Sequence, residues 1–265
     1  SGAVLNASAI QSGKGGTVVA WSDTQNPAGV TKVQGTLLAR GGTDGGDGGR
    51  IETSGRWIST IGASGDARAI KGNSGQWLFD PYDVEIVSSV VSNPSNPTGT
   101  WNAPSTNSQI QNTAITSLLD AGTSVTISTL TGASPADGTI TVNAPILRGS
   151  LNNAVNLTLS ANKDISINQP ISLTGSGSKI QLNAGNSLVS SSVTFNGNVT
   201  ADTLSMDIVG AGTVTQTAPI QANNLRINAQ NSDVTLSNTS NNIGALASKT
   251  KTLNLVSAQG IDLGS

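Results

Sequence analysis

Asp44, Asp47, Asp66, Asp80 and Asp83 come nearest to a chemical task in this sequence, because two carboxylates flanking a glycosidic bond are enough to hydrolyse it. Little else is available. The chain of 265 residues has no His and no Cys, which excludes Ser-His-Asp and Cys-His machinery, imidazole metal sites and thiolates. Isolated acids at turns usually serve solubility and corner capping. The run Gly41-Gly-Thr-Asp-Gly-Gly-Asp-Gly-Gly49 has the look of a calcium loop, but calcium takes about six to eight oxygen ligands. Asp44 also stands where the calcium β-roll repeat has its third glycine, and no second copy follows. Neither this run nor Gly13-Lys-Gly-Gly16 has the spacing of a phosphate loop. The expectation is a protein without catalytic residues, bound metal or cofactor.

Binding has better candidates. Six of the seven aromatic residues lie between positions 21 and 101: Trp21, Trp57, Trp77, Phe79, Tyr82 and Trp101. Trp57 and Trp77 stand 20 residues apart, close to one repeat unit, which would stack them in neighbouring rungs. Aromatic faces take sugar rings, so this pair is the candidate glycan or receptor contact; the plainer reading is that Trp fills space in glycine-rich coils. The sequons at Asn6, Asn156, Asn198 and Asn238 are candidate glycosylation sites, although a chain this rich in Asn, Ser and Thr supplies several by chance. Asp80-Pro81 is a chemically weak peptide bond, and Pro after Asp most often just ends a strand.

The elements that position these residues announce themselves by repetition. One series of alternating triplets runs Ile140-Thr-Val142, Ile165-Ser-Ile167, Val193-Thr-Phe195, Val214-Thr-Gln216 and Val234-Thr-Leu236, starting 25, 28, 21 and 20 residues apart. A second lies between its members: Leu157-Thr-Leu159, Ile180-Gln-Leu182, Leu204-Ser-Met206, Leu225-Arg-Ile227 and Leu253-Asn-Leu255. Asn143-Ala-Pro-Ile146, Asn168-Gln-Pro-Ile171 and Thr217-Ala-Pro-Ile220 place a proline corner after the strand. Period-two alternation gives half-buried strands, and repeats of this length give a solenoid. A parallel β-helix with roughly 20–28 residues per coil lines up Ile, Val and Leu inside and leaves Thr, Ser and Asn outside. Asn143, Asn168, Asn196 and the Ser240-Asn-Asn-Ile243 corner are placed to stack as an amide ladder.

Composition agrees with an all-β chain. It carries 31 Gly, 9 Pro, 11% charged and 3% aromatic residues, well below the usual charge of a globular enzyme. Disorder is the competing reading of so polar a chain, but 35% hydrophobic residues in regular strand spacing oppose it. A net charge of −2 gives no electrostatic case for nucleic acid or an anionic membrane. The lack of Cys excludes a disulfide framework and suits export in the unfolded state. No stretch is long and apolar enough to span a membrane, and residues 1–20 lack the form of a signal peptide. Both ends fall in mid-pattern, so the sequence reads as a piece of a longer protein.

Residues 1–82 have a glycine-rich texture, with short strands between tight turns. The order GGTVVAWSD, GTLLARGG, GGDGGRIETSG and GQWLFDPYDVEI resembles the segment following the secretion domain in the filamentous haemagglutinin-like exoproteins of two-partner secretion (the TpsA family). Asp120–Ser128, Asp137–Ile146 and Gly212–Thr217 are similar to its later coils, so the resemblance covers nearly the whole chain apart from residues 88–106. It implies a right-handed parallel β-helix, export through an outer-membrane TpsB-type transporter, and display on or release from the cell surface as a monomer. Adhesins, haem-acquisition proteins and toxin-delivery stalks all occur in that family.

Residues 83–130 interrupt the rhythm and are expected to leave the solenoid. Pro94, Pro97 and Pro104 mark a loop. Residues 105–121 offer a helix with Ile110, Ala114, Ile115, Leu118 and Leu119 on one face and a Ser or Asn cap, lying against the solenoid or projecting toward a receptor. Coils resume over 131–265. Many parallel β-helices cleave acidic polysaccharides, yet the Asp pair, Gly-His-Gly and Arg-Ile-Lys signatures of polygalacturonases are missing, as is the arginine motif of pectate lyases. The expectation is a non-enzymatic shaft of a secreted adhesin with a possible contact surface for a host receptor or glycan. Binding of a host haem carrier is the alternative, and a polysaccharide-active enzyme the third reading.

Overall fold

Alternation along each strand decides which side chains go inside, and the coil length decides which of them meet. The structure, a computed structural model, describes residues 2–24, 26, 28–90, 107–129, 138–149, 153–186 and 190–263. Its strands pair in parallel to form a β-helix of about eight turns. Each turn passes three faces.

The first face stacks Val4–Asn6, Gly35–Leu38 and Ala63–Asp66, then resumes with Ile146–Leu147, Ile171–Leu173 and the leading parts of Val199–Ile208, Ile220–Leu236 and Asn242–Leu255. The second runs from Thr17–Trp21 through Arg50–Ser54, Gln76–Asp80, Ser124–Ser128, Asn156–Ala161 and Lys179–Ala184 into the middle of the same long strands. The third begins with Val30–Lys32 and Trp57–Ser59. It continues through Val84–Val87, Ile140–Val142, Ile165–Ile167, Ser191–Phe195 and Gly212–Gln216. The two triplet series of the sequence are the rungs of the third and second faces, except that Leu253-Asn-Leu255 follows Val234–Leu236 on the third face and Leu246 takes the next place on the second.

On the second face one interior column is continuous: Val18, Ile51, Trp77, Val125, Leu157, Ile180, Leu204, Leu225 and Leu246, all in register and all buried. Each such side chain withdraws enough apolar surface to be worth roughly 1.5–3 kcal/mol. Outside, Thr141, Ser166, Thr194, Thr215 and Thr235 form a matching column on the third face.

The regular stacking is dislocated once. Ser108–Gln111 pairs with Val84–Val87 on the side away from Ile140–Val142, and Ile58 N–H donates to Ser108 Oγ at 3.2 Å. The strand is thus wedged between Trp57–Ser59 and Val84–Val87, adding a rung to the third face. The helix Asn112–Asp120 follows and lies against both Ala63–Asp66 and Ile146–Leu147, filling a rung of the first face.

Two expectations are corrected here. The helix starts at Asn112 rather than near Ser105, because Ser108 and Ile110 alternate inward and find a strand partner in Val84–Val87. Its N-cap, Gln111, makes no side-chain capping bond. Ile115, Leu118 and Leu119 form its buried face as expected. It closes on Gly122 at φ 86°, with Gly122 N–H bonded to Leu119 O and Thr123 N–H to Leu118 O. Within residues 83–130, Val84–Val87 and Ser124–Ser128 are ordinary rungs; the expected loop with Pro94, Pro97 and Pro104 lies outside the described residues, as does Trp101.

Candidate functional site

The aromatic residues separate by the parity of their strands. In Gln76–Asp80, Trp77 and Phe79 point inward and their rings stack at 4.8 Å with a 19° interplanar angle. Trp77 is only 2% exposed, and its indole N–H donates to Thr53 Oγ1 at 3.1 Å. A Cβ on Gly65 would stand 2.3 Å from the Trp77 ring, so glycine is required in the facing strand. Trp77 is a core residue and offers no face to a glycan or receptor. Trp57 is half-buried and pairs with Val30 on the third face, away from Trp77. The two do not stack: the local coil is 26 residues from Arg50 to Gln76 and 27 from Val30 to Trp57, so a spacing of 20 joins different faces.

Trp21 is the outward aromatic that spacing did not single out. Val18 turns inward in Thr17–Trp21, so Val19 and Trp21 turn outward, and Trp21 is 74% exposed. Strand parity was the available signal.

A cleft of about 320 Å³ opens at the dislocation, bordered by Ala63, Gly65, Trp77, Phe79, Ala114 and Leu118. It arises because a helix about 10–12 Å wide replaces a strand where rungs repeat at about 4.8 Å. Thr60, Ser64, Gln111, Thr113 and Ser117 supply its polar rim, and no ionisable group borders it. Such a lining can hold a small neutral molecule but has nothing with which to move a proton.

The acids are dispersed. Asp47 Oδ1 accepts from Asn73 N–H at 2.7 Å and Nδ2 at 3.2 Å. Asp83 Oδ1 accepts from Gly138 N–H, Thr139 N–H and Thr139 Oγ1, at 2.9, 2.7 and 3.2 Å. These are corner-fixing roles. Asp66 lies between Arg40 and Arg68. Asp44 N–H bonds Gln11 O. Among the described residues no three acids gather as metal ligands.

Asp202, Asp207 and Asp233 are held below the usual carboxylate range, and Asp80 is shifted the other way. Burial pushes Asp80 up to about 6, with a Ser128 hydrogen bond opposing, the Glu52 carboxylate adding to the rise and Arg50 opposing it. Asp80 is in register with Ser54, whose hydroxyl donates to Glu52 Oε1 at 2.8 Å; Arg50 Nη2 donates to Glu52 Oε2 at 2.8 Å. Glu52 thus has both carboxylate oxygens in hydrogen bonds beside a carboxyl that readily keeps its proton. Asp80 ends its strand at Pro81.

The asparagine ladder is present. Asn196 Nδ2 donates to Asn168 Oδ1 at 3.0 Å, Asn168 Nδ2 to Asn143 Oδ1 at 2.9 Å, and Asn143 Nδ2 to Glu85 Oε1 at 2.7 Å. Thr217 Oγ1 extends it by donating to Asn196 Oδ1 at 3.2 Å. At the last corner Asn241, 0% exposed, goes inside instead. The sequons Asn6, Asn156 and Asn198 are exposed. Asn238 is committed, its Nδ2 donating to Thr217 O at 2.7 Å and its Oδ1 accepting from Ser240 N–H at 2.9 Å. Among the described residues no helix is long and apolar enough to cross a membrane. No family model and no curated protein matches this chain.

Proposed function

We propose that this chain is a non-enzymatic shaft segment of a large exported bacterial adhesin, of the filamentous haemagglutinin-like kind that uses an outer-membrane TpsB-type transporter. The observation that carries the reading is the continuous interior column from Val18 to Leu246. It spans nine rungs, about 40 Å at the spacing of β-strands, filled with apolar side chains that carry no reacting group. A filled, quasi-one-dimensional body acts through its length and its outer surface.

The same geometry supplies a mechanism for export. Each new coil finds its hydrogen-bonding edge and apolar column already formed by the coil before it, so folding proceeds by addition. A chain without cysteine passes a pore without disulfide traps, and coils that close outside oppose return. The outer surface then meets its receptor, with Trp21 and Val19 as an exposed apolar pair in the N-terminal coils.

The test is a pair of measurements on the secreted parent chain and on this segment. Export of the parent should require its outer-membrane partner, and export without one refutes the secretion route. The purified segment is applied to arrays of glycans, host-surface proteins and haem-carrying serum proteins, beside a Trp21→Ser variant with unchanged melting. Saturable binding that the variant loses supports contact through these coils; selective capture of the haem carrier favours the alternative. Release of reducing sugar from any polysaccharide refutes the non-enzymatic reading.

A further inference from the structure

Arg40 and Arg68 occupy the same position in adjacent coils. The pairing Leu38 to Asp66 continues through Gly41 N–H to Arg68 O, which sets the two arginines side by side at one corner. Both approach a single carboxylate oxygen: Arg40 Nε and Arg68 Nε each lie 3.4 Å from Asp66 Oδ2. Asp66 Oδ1 is occupied by Arg68 N–H at 3.1 Å. One carboxylate against two guanidiniums leaves a positive charge, and like charges in register across neighbouring strands are destabilising. Arg40 Nε, although buried, has no hydrogen bond of good geometry. The corner fixes two guanidiniums without neutralising them.

A concave surface of about 260 Å³ adjoins this pair and includes Ser8, Ile10, Thr43 and Ile70 along with both arginines. Ile10 is 86% and Ile70 64% exposed. They belong to the coils on either side of the one that carries Arg40, Gly41 and Thr43. The two isoleucines are therefore walls about 10 Å apart, with Gly41 and Thr43 of the middle coil lining the cleft between them. No carboxylate borders the cleft.

The geometry points to a binding site for a small monoanionic amphiphile, a carboxylate on an apolar body. The carboxylate takes the Nη donors of Arg40 and Arg68, which match its fork geometry, and the hydrocarbon lies between Ile10 and Ile70. Charge complementarity selects the anion, and the exposed isoleucines select an apolar stem over a bare ion. This site stands independently of the shaft reading.

The probe is octanoate, titrated into the segment by calorimetry and followed by methyl chemical shifts of Ile10 and Ile70. Acetate, octanol and octylammonium are the comparison ligands. Octanoate should bind measurably more tightly than all three, with roughly tenfold loss on Arg40→Gln or Arg68→Gln. Ile10→Ser, at a side chain too exposed to support the fold, should weaken octanoate and leave melting unchanged. Equal binding of octanol or octylammonium overturns the anion clamp; equal binding of acetate overturns the apolar wall. Unchanged octanoate affinity in the folded Arg40→Gln and Arg68→Gln variants overturns the proposal as a whole.

Discussion

Replacing Asn241 by Leu keeps the approximate size of a side chain that is entirely buried and removes every polar contact it makes. Its Oδ1 accepts from Ile220 N–H and Gln216 Nε2, both at 2.8 Å. Its Nδ2 faces Gln216 Oε1 at 2.8 Å and the carbonyls of Leu236 and Val256 at 3.0 Å each. The substitution strands the Ile220 N–H and the Val256 carbonyl in the last coils, whereas the Leu236 carbonyl keeps its bond from Val256 N–H at 3.0 Å. At about 1–3 kcal/mol for each of these two groups left without a partner, the loss is about 2–6 kcal/mol. Equilibrium unfolding in urea, followed by far-ultraviolet circular dichroism, reads this loss. Amide exchange at Ile220 localises it, which matters because a repeat array need not unfold in one step. Gln216→Leu in the Asn241→Leu background should add much less than it costs alone, since the two amides serve each other. A loss below about 1 kcal/mol, with Ile220 as protected as before, refutes the reasoning.

Asn168→Leu breaks the ladder at both of its side-chain bonds, but in water-accessible surroundings, so it should cost about 1–2 kcal/mol and leave ligand binding intact; unchanged melting counts against a stabilising ladder. Gly65→Ala drives a methyl into the Trp77 ring and should cost about 1–3 kcal/mol, with a shift in tryptophan emission that an unmoved ring would not give. Asp80 keeps its proton more readily when folded, at about 6 against 3.8, so the folded state holds more protons between those values and stability falls as pH rises through that window. Asp80→Asn should abolish this fall and raise melting at neutral pH, as seen by thermal scans across the window; a parallel pair of pH curves would show that Asp80 is not its source.

The C-terminal coils were legible because their triplets carry the two facts that fix a solenoid: parity, which sends Ile140 and Val142 inward, and period, which lays Ile165 and Ile167 beneath them. The Asn143 to Asn196 ladder followed from the same bookkeeping. The N-terminal coils were harder, since glycine corners hide the period. With the true local coil of 26–28 residues, set by Arg50 with Gln76 and by Gly35 with Ala63, Trp57 and Trp77 fall on different faces. The same coil length makes Ala39-Arg40 and Ala67-Arg68 an echo 28 positions apart, a signal present in the sequence and unused. Ile110 fits a helical face and a strand equally well by pattern; its partner in Val84–Val87 decided the outcome. Nothing local distinguishes buried Asn241 from the exposed asparagines, because its burial depends on Gln216 one coil away.

The helix rung gives the solenoid a mechanical grain. Ala63–Asp66 and Ile146–Leu147 are not joined by strand hydrogen bonds; the helix stands between them, touching each through side chains. Trp57–Ser59 and Ser108–Gln111 are likewise not joined by a strand ladder, so tension along the axis is carried across this region by the backbone ladder of the second face, and the column yields first on the sides away from it. A rod built this way bends in a chosen direction when its far end is pulled, and the coils on either side reach their limit separately.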